Sequence, residues 1–395
     1  MKGQSFFETR AFQIDLGRQP ESVDTLKKIF EQGRRFHFNQ CHLYLENKLQ
    51  LDSFGDAAAG LSGEDVGEIV SCGDQLGLEI VPSLNLLGHT EHFTKYPEFK
   101  RLSETRDGAR KADQDYAGCL CPSLPETREW ARSVIEEVAE IFPSPNLHVG
   151  LDETWPIGSC PLCAEREKKG ELGQLFADYA NCLHDKALEY GKTMWMWADM
   201  LFYFPGAMEE LNKDIVLVDW FYGGLDPIPR QTFFNWRRVH TTEKLLEEGF
   251  RVVPASGLGM NNLRGFTRYV DGFDTDTFLV TQWEGSNRFQ LDYAPERCAA
   301  GILLSSNHMP QMREMGRYLL PDGSAGERQK FMTAVSASGR SLEVVPEMLT
   351  ELDQTPLVKA CRSRVLQKYV GQESGKIMRE LKLIARDMLR ENRHS

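Results

Sequence analysis

The feature that most constrains this chain is a repeated alternation. Short runs rich in β-branched and aromatic residues are separated by amphipathic helical segments, as parallel βα units require. The candidate strands are Ala11–Leu16, Cys41–Leu45, Leu78–Leu84, Leu147–Leu151, Thr193–Ala198, Ile215–Trp220, Arg251–Ala255 and Phe278–Trp283. Eight strands with helices between them predict an α/β fold, a closed (β/α)8 TIM barrel whose functional side chains gather where the strands end. The 395 residues accommodate a barrel over residues 1–325 and a small helical extension over residues 326–395.

One barrel helix is predicted in detail. Ser123-Leu-Pro-Glu126 reads as a capping box, and Trp130, Val134, Val138 and Phe142 follow at near-helical spacing as an apolar face. Pro143 and Pro145 end it. The segment Pro295 to Leu320 is expected to form the eighth barrel helix and its continuation. Gly323-Ser-Ala-Gly326 reads as a linker, and Ile377, Leu381, Ile384 and Met388 share one helical stripe in the extension.

The net charge of −12 disfavours nucleic acid and anionic membrane surfaces as partners, because both would repel it. No stretch reaches the ~18 uninterrupted apolar residues of a membrane helix. The N-terminal MKGQSFFETRAFQIDL lacks the apolar core of a signal peptide. The nine cysteines are an odd number in a chain too long to need stapling, so reduced thiols and a cytoplasmic location are expected.

The fourth candidate strand runs into His148-Val-Gly-Leu-Asp-Glu153. Strand alternation would send His148, Gly150 and Asp152 into the barrel and Val149 and Leu151 toward the helices, with Glu153 just past the strand end. A bare Asp-Glu pair is usually a helix cap beside a solvated acid. An inward histidine and glycine before it, at a barrel rim, favour chemistry instead.

His-x-Gly-x-Asp-Glu is the hallmark of glycoside hydrolase family 20, the β-N-acetylhexosaminidases, and this chain resembles that family from about Arg10 to Glu284. The resemblance includes Arg10 before the first strand, the His42-Leu-Tyr-Leu-Glu46 run, Gly88-His89 after the third strand and the Cys121-Pro-Ser segment. It extends to Trp197 and Asp199 after the fifth strand, Trp220 and Tyr222 after the sixth, and Trp283 after the eighth.

The resemblance implies an exo-acting, retaining and substrate-assisted hydrolase of terminal N-acetylhexosamines, with an oligosaccharide or glycoconjugate as partner and no cofactor. Ordinary retaining enzymes place two carboxyls about 5 Å apart on opposite sides of the sugar, which neighbours in one strand cannot easily do. If the 2-acetamido oxygen attacks instead, the protein needs an acid and a group that polarises the amide. By resemblance Glu153 is the acid and base, Asp152 receives the acetamido N–H, and Tyr222 donates to the acetamido oxygen. His89 and Glu46 would form a relay beside Glu153, and His148, pointing into the barrel, would stand with Arg10 and Glu46 among the substrate-binding residues, the competing reading being that it only positions its neighbours. Trp197, Trp220 and Trp283 would wall the pocket with Asp199 beside them, and Arg10 would fork onto the 3- and 4-hydroxyls. Glu284 follows Trp283 directly, where the family commonly places an acid two residues after that tryptophan, so the choice between glucosamine and galactosamine epimers is left open.

Cys119, Cys121, Cys160 and Cys163 could present four thiolates to zinc, but Cys119-x-Cys121 lacks the usual two-residue gap, and ordinary thiols are the expectation. Two other functions stay in view: a two-carboxylate glycosidase acting on sugars without the acetamido group, and a non-catalytic amino-sugar-binding barrel. A homo-oligomer is also left open.

Overall fold

The structure is a computed structural model that describes residues 6–108, 118–223, 240–283 and 293–330. Eight parallel strands form one closed barrel in chain order. They are β1 (Thr9–Asp15), β2 (Gln40–Tyr44), β3 (Glu79–Ser83), β4 (Asn146–His148), β5 (Thr193–Trp197), β6 (Val216–Phe221), β7 (Val252–Gly257) and β8 (Thr277–Thr281). All eight expected strands are present, and β8 closes on β1 with Thr9 opposite Thr277 and Phe12 opposite Val280. The chain splits into two compact units, Met1–Trp283 and Glu284–Ser395, so the barrel strands all lie in the first.

Alternation along the strands builds the interior. Ala11, Trp195, Trp197, Val216, Val218, Val253, Ala255 and Leu279 form a buried cluster inside the barrel, with Trp220 and Trp283 packed against it. Two indoles fill one side while small residues, Ala11 and Ala255, make room on the other.

The outer helices have local causes. Val23–Arg35 starts at Ser22, whose hydroxyl accepts from the Thr25 N–H at 3.2 Å. Gly63–Leu76 starts with a capping box formed by Ser62 and Asp65. The box expected at Ser123 and Glu126 does not form. That helix runs Pro125–Ile141 with Leu124 at its cap, so Glu126 falls one position short of the reach-back site, and the Ser123 hydroxyl meets Cys163 Sγ at 3.1 Å. Val134 and Val138 of the expected face are buried, joined by Ala131 and Ile135.

β4 is shorter than its hydrophobic run, ending at His148 rather than Leu151. Gly150 and Leu151 both take left-handed backbone conformations, φ +77° and +72°, which end the pleat there. The second unit contains helices Ala294–Ser306 and Met312–Leu319. This second unit begins at Glu284, ahead of the segment expected to form the eighth barrel helix. The stripe Ile377 to Met388 lies outside the described residues. Among the described residues no helix is long and apolar enough to cross a membrane.

Candidate active site

The C-terminal ends of β2 to β6 and β8 bring together nearly all of the expected residues. Asp152 and Glu153 follow β4, and the chain reaches them through the left-handed turn at Gly150 and Leu151. A β-carbon at Gly150 would lie 2.6 Å from the Leu84 carbonyl oxygen, so only glycine fits. From the neighbouring strand end, Gly88 approaches so closely that a β-carbon there would lie 2.1 Å from the Asp152 carbonyl oxygen. Among the described residues six non-glycine positions have positive φ, and four of them are Glu46, His89, Leu151 and Glu153. Backbone strain is therefore concentrated at this mouth, as it is where side chains must be aimed against local preference.

His89 joins the two acids. Its Nε2 lies 3.1 Å from Asp152 Oδ2 and 3.3 Å from Glu153 Oε2. Burial alone would lower the imidazole pKa, but the Asp152 and Glu153 carboxylates overcome this and hold it well above its ordinary value. The side chains differ in access: 9% exposed for Asp152 and 26% for Glu153. The deeper acid suits a fixed charge and the more open one suits exchange of protons with a leaving group and water.

Asp199, after β5, accepts the Glu153 backbone N–H at 3.0 Å and is bonded by the Trp220 side chain. Burial, and then the Asp152 charge, push its pKa well above the carboxylate range. Asp199 thus fixes the Glu153 backbone from below.

The aromatic residues form the wall. Trp197 is buried, 4.6 Å from the His148 ring and 5.9 Å from the Trp283 ring. Trp220 stacks on Tyr222 at 5.1 Å. Trp283 Nε1 donates to the Tyr222 hydroxyl at 2.8 Å, and Thr281 Oγ1 lies 3.0 Å from the same oxygen. Burial raises the Tyr222 pKa, so the phenol keeps its proton.

Three expectations are corrected. Arg10 lies at the N-terminal end of β1, the opposite end of the barrel from Asp152. Its guanidinium donates to the carbonyls of His37, Phe7 and Glu8 at 2.6, 2.6 and 3.0 Å. The arginine at the mouth is Arg18, which follows the C-terminal end of β1. It pairs with Asp15 at 2.8 Å and its guanidinium carbon sits 5.4 Å from the ring centres of both Tyr44 and Trp283. Strand polarity carried the signal, because a residue past the end of a barrel strand faces the site and one before its start does not.

The Glu46 and His89 relay does not form either. Glu46 is bonded to His92 Nε2 at 2.6 Å and receives the Tyr44 hydroxyl at 3.2 Å. Burial would raise Glu46, but His92 and then Arg18 hold it below its usual value. His148 is fully buried under the site, accepts the Gly150 N–H on Nδ1 at 3.1 Å, and burial lowers its pKa so that it stays neutral. It packs against Trp197 and holds the turn at Gly150, with no exposed surface of its own at the mouth. Glu284 lies outside the described residues.

An eight-stranded parallel barrel with paired carboxylates and tryptophans at its mouth has the architecture of a (β/α)8 barrel with its candidate site where such barrels carry their functional side chains. Residues 7–258 match the glycosyl hydrolase family 20 catalytic domain, and the chain belongs to that family. Among curated relatives, the β-hexosaminidase of Akkermansia muciniphila is 25% identical over 299 residues, covering 63% of this chain and 59% of that protein. Human hexosaminidase D is 24% identical over 209 residues, covering 51% of this chain and 41% of the relative. The chain thus spans roughly half the length of these relatives. Among solved structures, a Flavobacterium johnsoniae chitobiase superposes with TM-score 0.66 at 15% identity, covering 95% of this chain and 66% of the other. A β-N-acetylhexosaminidase from Bacteroides fragilis gives TM-score 0.62 at 17% identity, covering 80% and 70%. At such identity these structures establish the fold alone.

Proposed function

We propose that this chain is an exo-acting β-N-acetylhexosaminidase that removes terminal β-linked N-acetylglucosamine or N-acetylgalactosamine from an oligosaccharide or glycoconjugate. The carrying observation is that Asp152 and Glu153 both converge on one nitrogen of His89. Two acids gathered on one imidazole stand on the same side of a bound sugar, so this pair cannot straddle the anomeric carbon as the two carboxyls of an ordinary retaining enzyme do.

The substrate's acetamido oxygen then supplies the nucleophile. Asp152 accepts the acetamido N–H and its charge opposes the positive charge that develops on the amide. Tyr222, its oxygen already accepting from Trp283, donates its proton to the acetamido oxygen and aims it at the anomeric carbon. As the glycosidic bond breaks, its electron pair goes to the leaving oxygen, which takes the Glu153 proton. A bicyclic oxazolinium ion forms. Glu153, now a carboxylate, removes a proton from water, which opens that ring at the anomeric carbon and restores the acid with retention. Trp197, Trp220 and Trp283 offer indole surface to the acetamido methyl and the sugar face. Arg18 takes the hydroxyl-binding role first assigned to Arg10. With thiols rather than disulfides at the described cysteines, a reducing compartment such as the cytoplasm suits the protein.

Hydrolysis of nitrophenyl glycosides with and without the 2-acetamido group tests this reading. Turnover of N-acetylglucosaminide or N-acetylgalactosaminide, strong inhibition by a thiazoline mimic of the intermediate, and collapse of kcat in Glu153→Gln with little change in KM are expected. Activity confined to plain glucosides or galactosides would overturn it, and binding of amino sugars without turnover would assign the barrel to sensing.

A further inference from the structure

A second cluster of chemically capable side chains lies among the described residues, apart from the carboxylates. Cys121, Cys160, Cys163 and Glu104 are all buried, and their sulfur and oxygen atoms lie within 4.8 Å of one another. Cys121 Sγ is 3.5 Å from Cys160 Sγ and 3.6 Å from Cys163 Sγ, and Glu104 Oε1 is 3.5 Å from Cys160 Sγ. A tetrahedral zinc ion with sulfur at its usual bond length sets neighbouring sulfurs about 3.8 Å apart. The four groups therefore already stand near the corners such an ion needs.

The surroundings are built to support anionic sulfur. Cys160 caps the helix Pro161–Lys168, and its Sγ accepts the Cys163 N–H at 3.3 Å, while the Cys160 N–H donates to Glu104 Oε2 at 2.9 Å. Backbone N–H groups aimed at ligand atoms are the supporting shell that metal sites carry. The Arg106 guanidinium lies close enough to the Cys121 and Cys160 sulfurs to act on them electrostatically, and its charge offsets part of the negative charge of three thiolates and a carboxylate around a dication.

We propose that Cys121, Cys160, Cys163 and Glu104 bind a structural zinc ion. Four protein ligands close the coordination sphere, so the ion takes no part in glycoside chemistry. It replaces the protons of the three thiols, which pass to solvent as the sulfur–zinc bonds form. The set differs from the four-cysteine arrangement considered from spacing: Cys119 turns its Sγ to the Leu120 carbonyl, and Glu104 takes its place. The consequence is mechanical. Glu104 and Cys121 belong to the connection after β3, which also carries His89, whereas Cys160 and Cys163 belong to the connection after β4, which carries Asp152 and Glu153. The ion ties together the two segments whose side chains meet at His89.

Elemental analysis of the whole chain, purified with thiol reductant, without chelator, from zinc-supplemented medium, tests this directly. About one zinc per chain is expected, with Cys163→Ser and Cys121→Ser falling to a small fraction of that and Cys119→Ser keeping it. Anaerobic addition of cobalt(II) to metal-stripped, reduced protein should give thiolate-to-cobalt charge-transfer absorption, which reports the site even where a variant folds poorly. Zinc far below stoichiometry together with no cobalt–thiolate absorption overturns the proposal, as does equal loss of zinc in Cys119→Ser. Neither readout depends on glycosidase activity.

Discussion

The indole N–H of Trp283 donates to the Tyr222 hydroxyl across 2.8 Å, joining the ends of β8 and β6 at the barrel mouth. Because that oxygen already accepts a hydrogen bond, its own proton is directed outward to a ligand. Tyr222→Phe should lower kcat on N-acetylglucosaminides about 100-fold, the scale of losing one donor to a developing charge. Trp283→Phe should lower it less, since the phenol survives but loses its orientation. Steady-state kinetics of both variants check the order. A Trp283→Phe defect larger than that of Tyr222→Phe would make the indole the primary contact.

The two arginines of the first βα unit separate cleanly. Arg18 stands over Tyr44 and Trp283 at the mouth, whereas Arg10 is tied to backbone carbonyls at the far end. Arg18→Ala should raise KM or lower kcat/KM by about 10- to 100-fold, the loss of a charged contact of about 1.5–3 kcal/mol, and should also lower Tm because the buried Asp15 carboxylate loses its 2.8 Å partner. Arg10→Ala should lower Tm while leaving the KM of the folded enzyme near wild type. Kinetics paired with thermal melts on both variants decide it.

His89 gives a pH dependence of definite sign. Its folded-state pKa lies above its unfolded value, so the stabilisation from Asp152 and Glu153 is fully present below the ordinary histidine value of about 6.5 and is lost as pH rises through the folded pKa. The Tm difference between wild type and His89→Gln should therefore be largest near that pH and narrow on the alkaline side. Melting curves across a pH series, in one buffer system of constant ionic strength, measure it. A difference that widens as pH rises would mean the imidazole is neutral.

Gly88→Ala probes the close approach of two rim segments. Its β-carbon would meet the Asp152 carbonyl oxygen at 2.1 Å, a contact that backbone on both sides must move to relieve. The substitution should cost about 2 kcal/mol or more and depress kcat through displaced acids. Chemical denaturation and kinetics of the same preparation should show both losses; an undisturbed kcat would mean that the rim adapts without moving Asp152.

Eight strands, their order along the chain and the polarity of the barrel follow from hydrophobic patterning, because a strand buried between core and helices must be apolar wherever it runs. The acid pair was legible for the same reason: it stands at a fixed distance past an apolar strand, and neither residue suits a core. Trp197, Trp220, Tyr222 and Trp283 were legible as a set through their positions at strand ends. Pairing was not legible. Nothing in the spacing of Glu46, His89 and His92 tells which histidine meets which carboxylate. That depends on left-handed backbone at Glu46, His89 and Glu153, which only the packed loops can enforce. Arg10 and Arg18 are alike in type, and the direction of the strand between them, itself readable from the sequence, sends them to opposite ends of the barrel. Glu104, by contrast, joins the thiols because tertiary packing brings together ligands that lie far apart in sequence, at a separation a linear motif does not record.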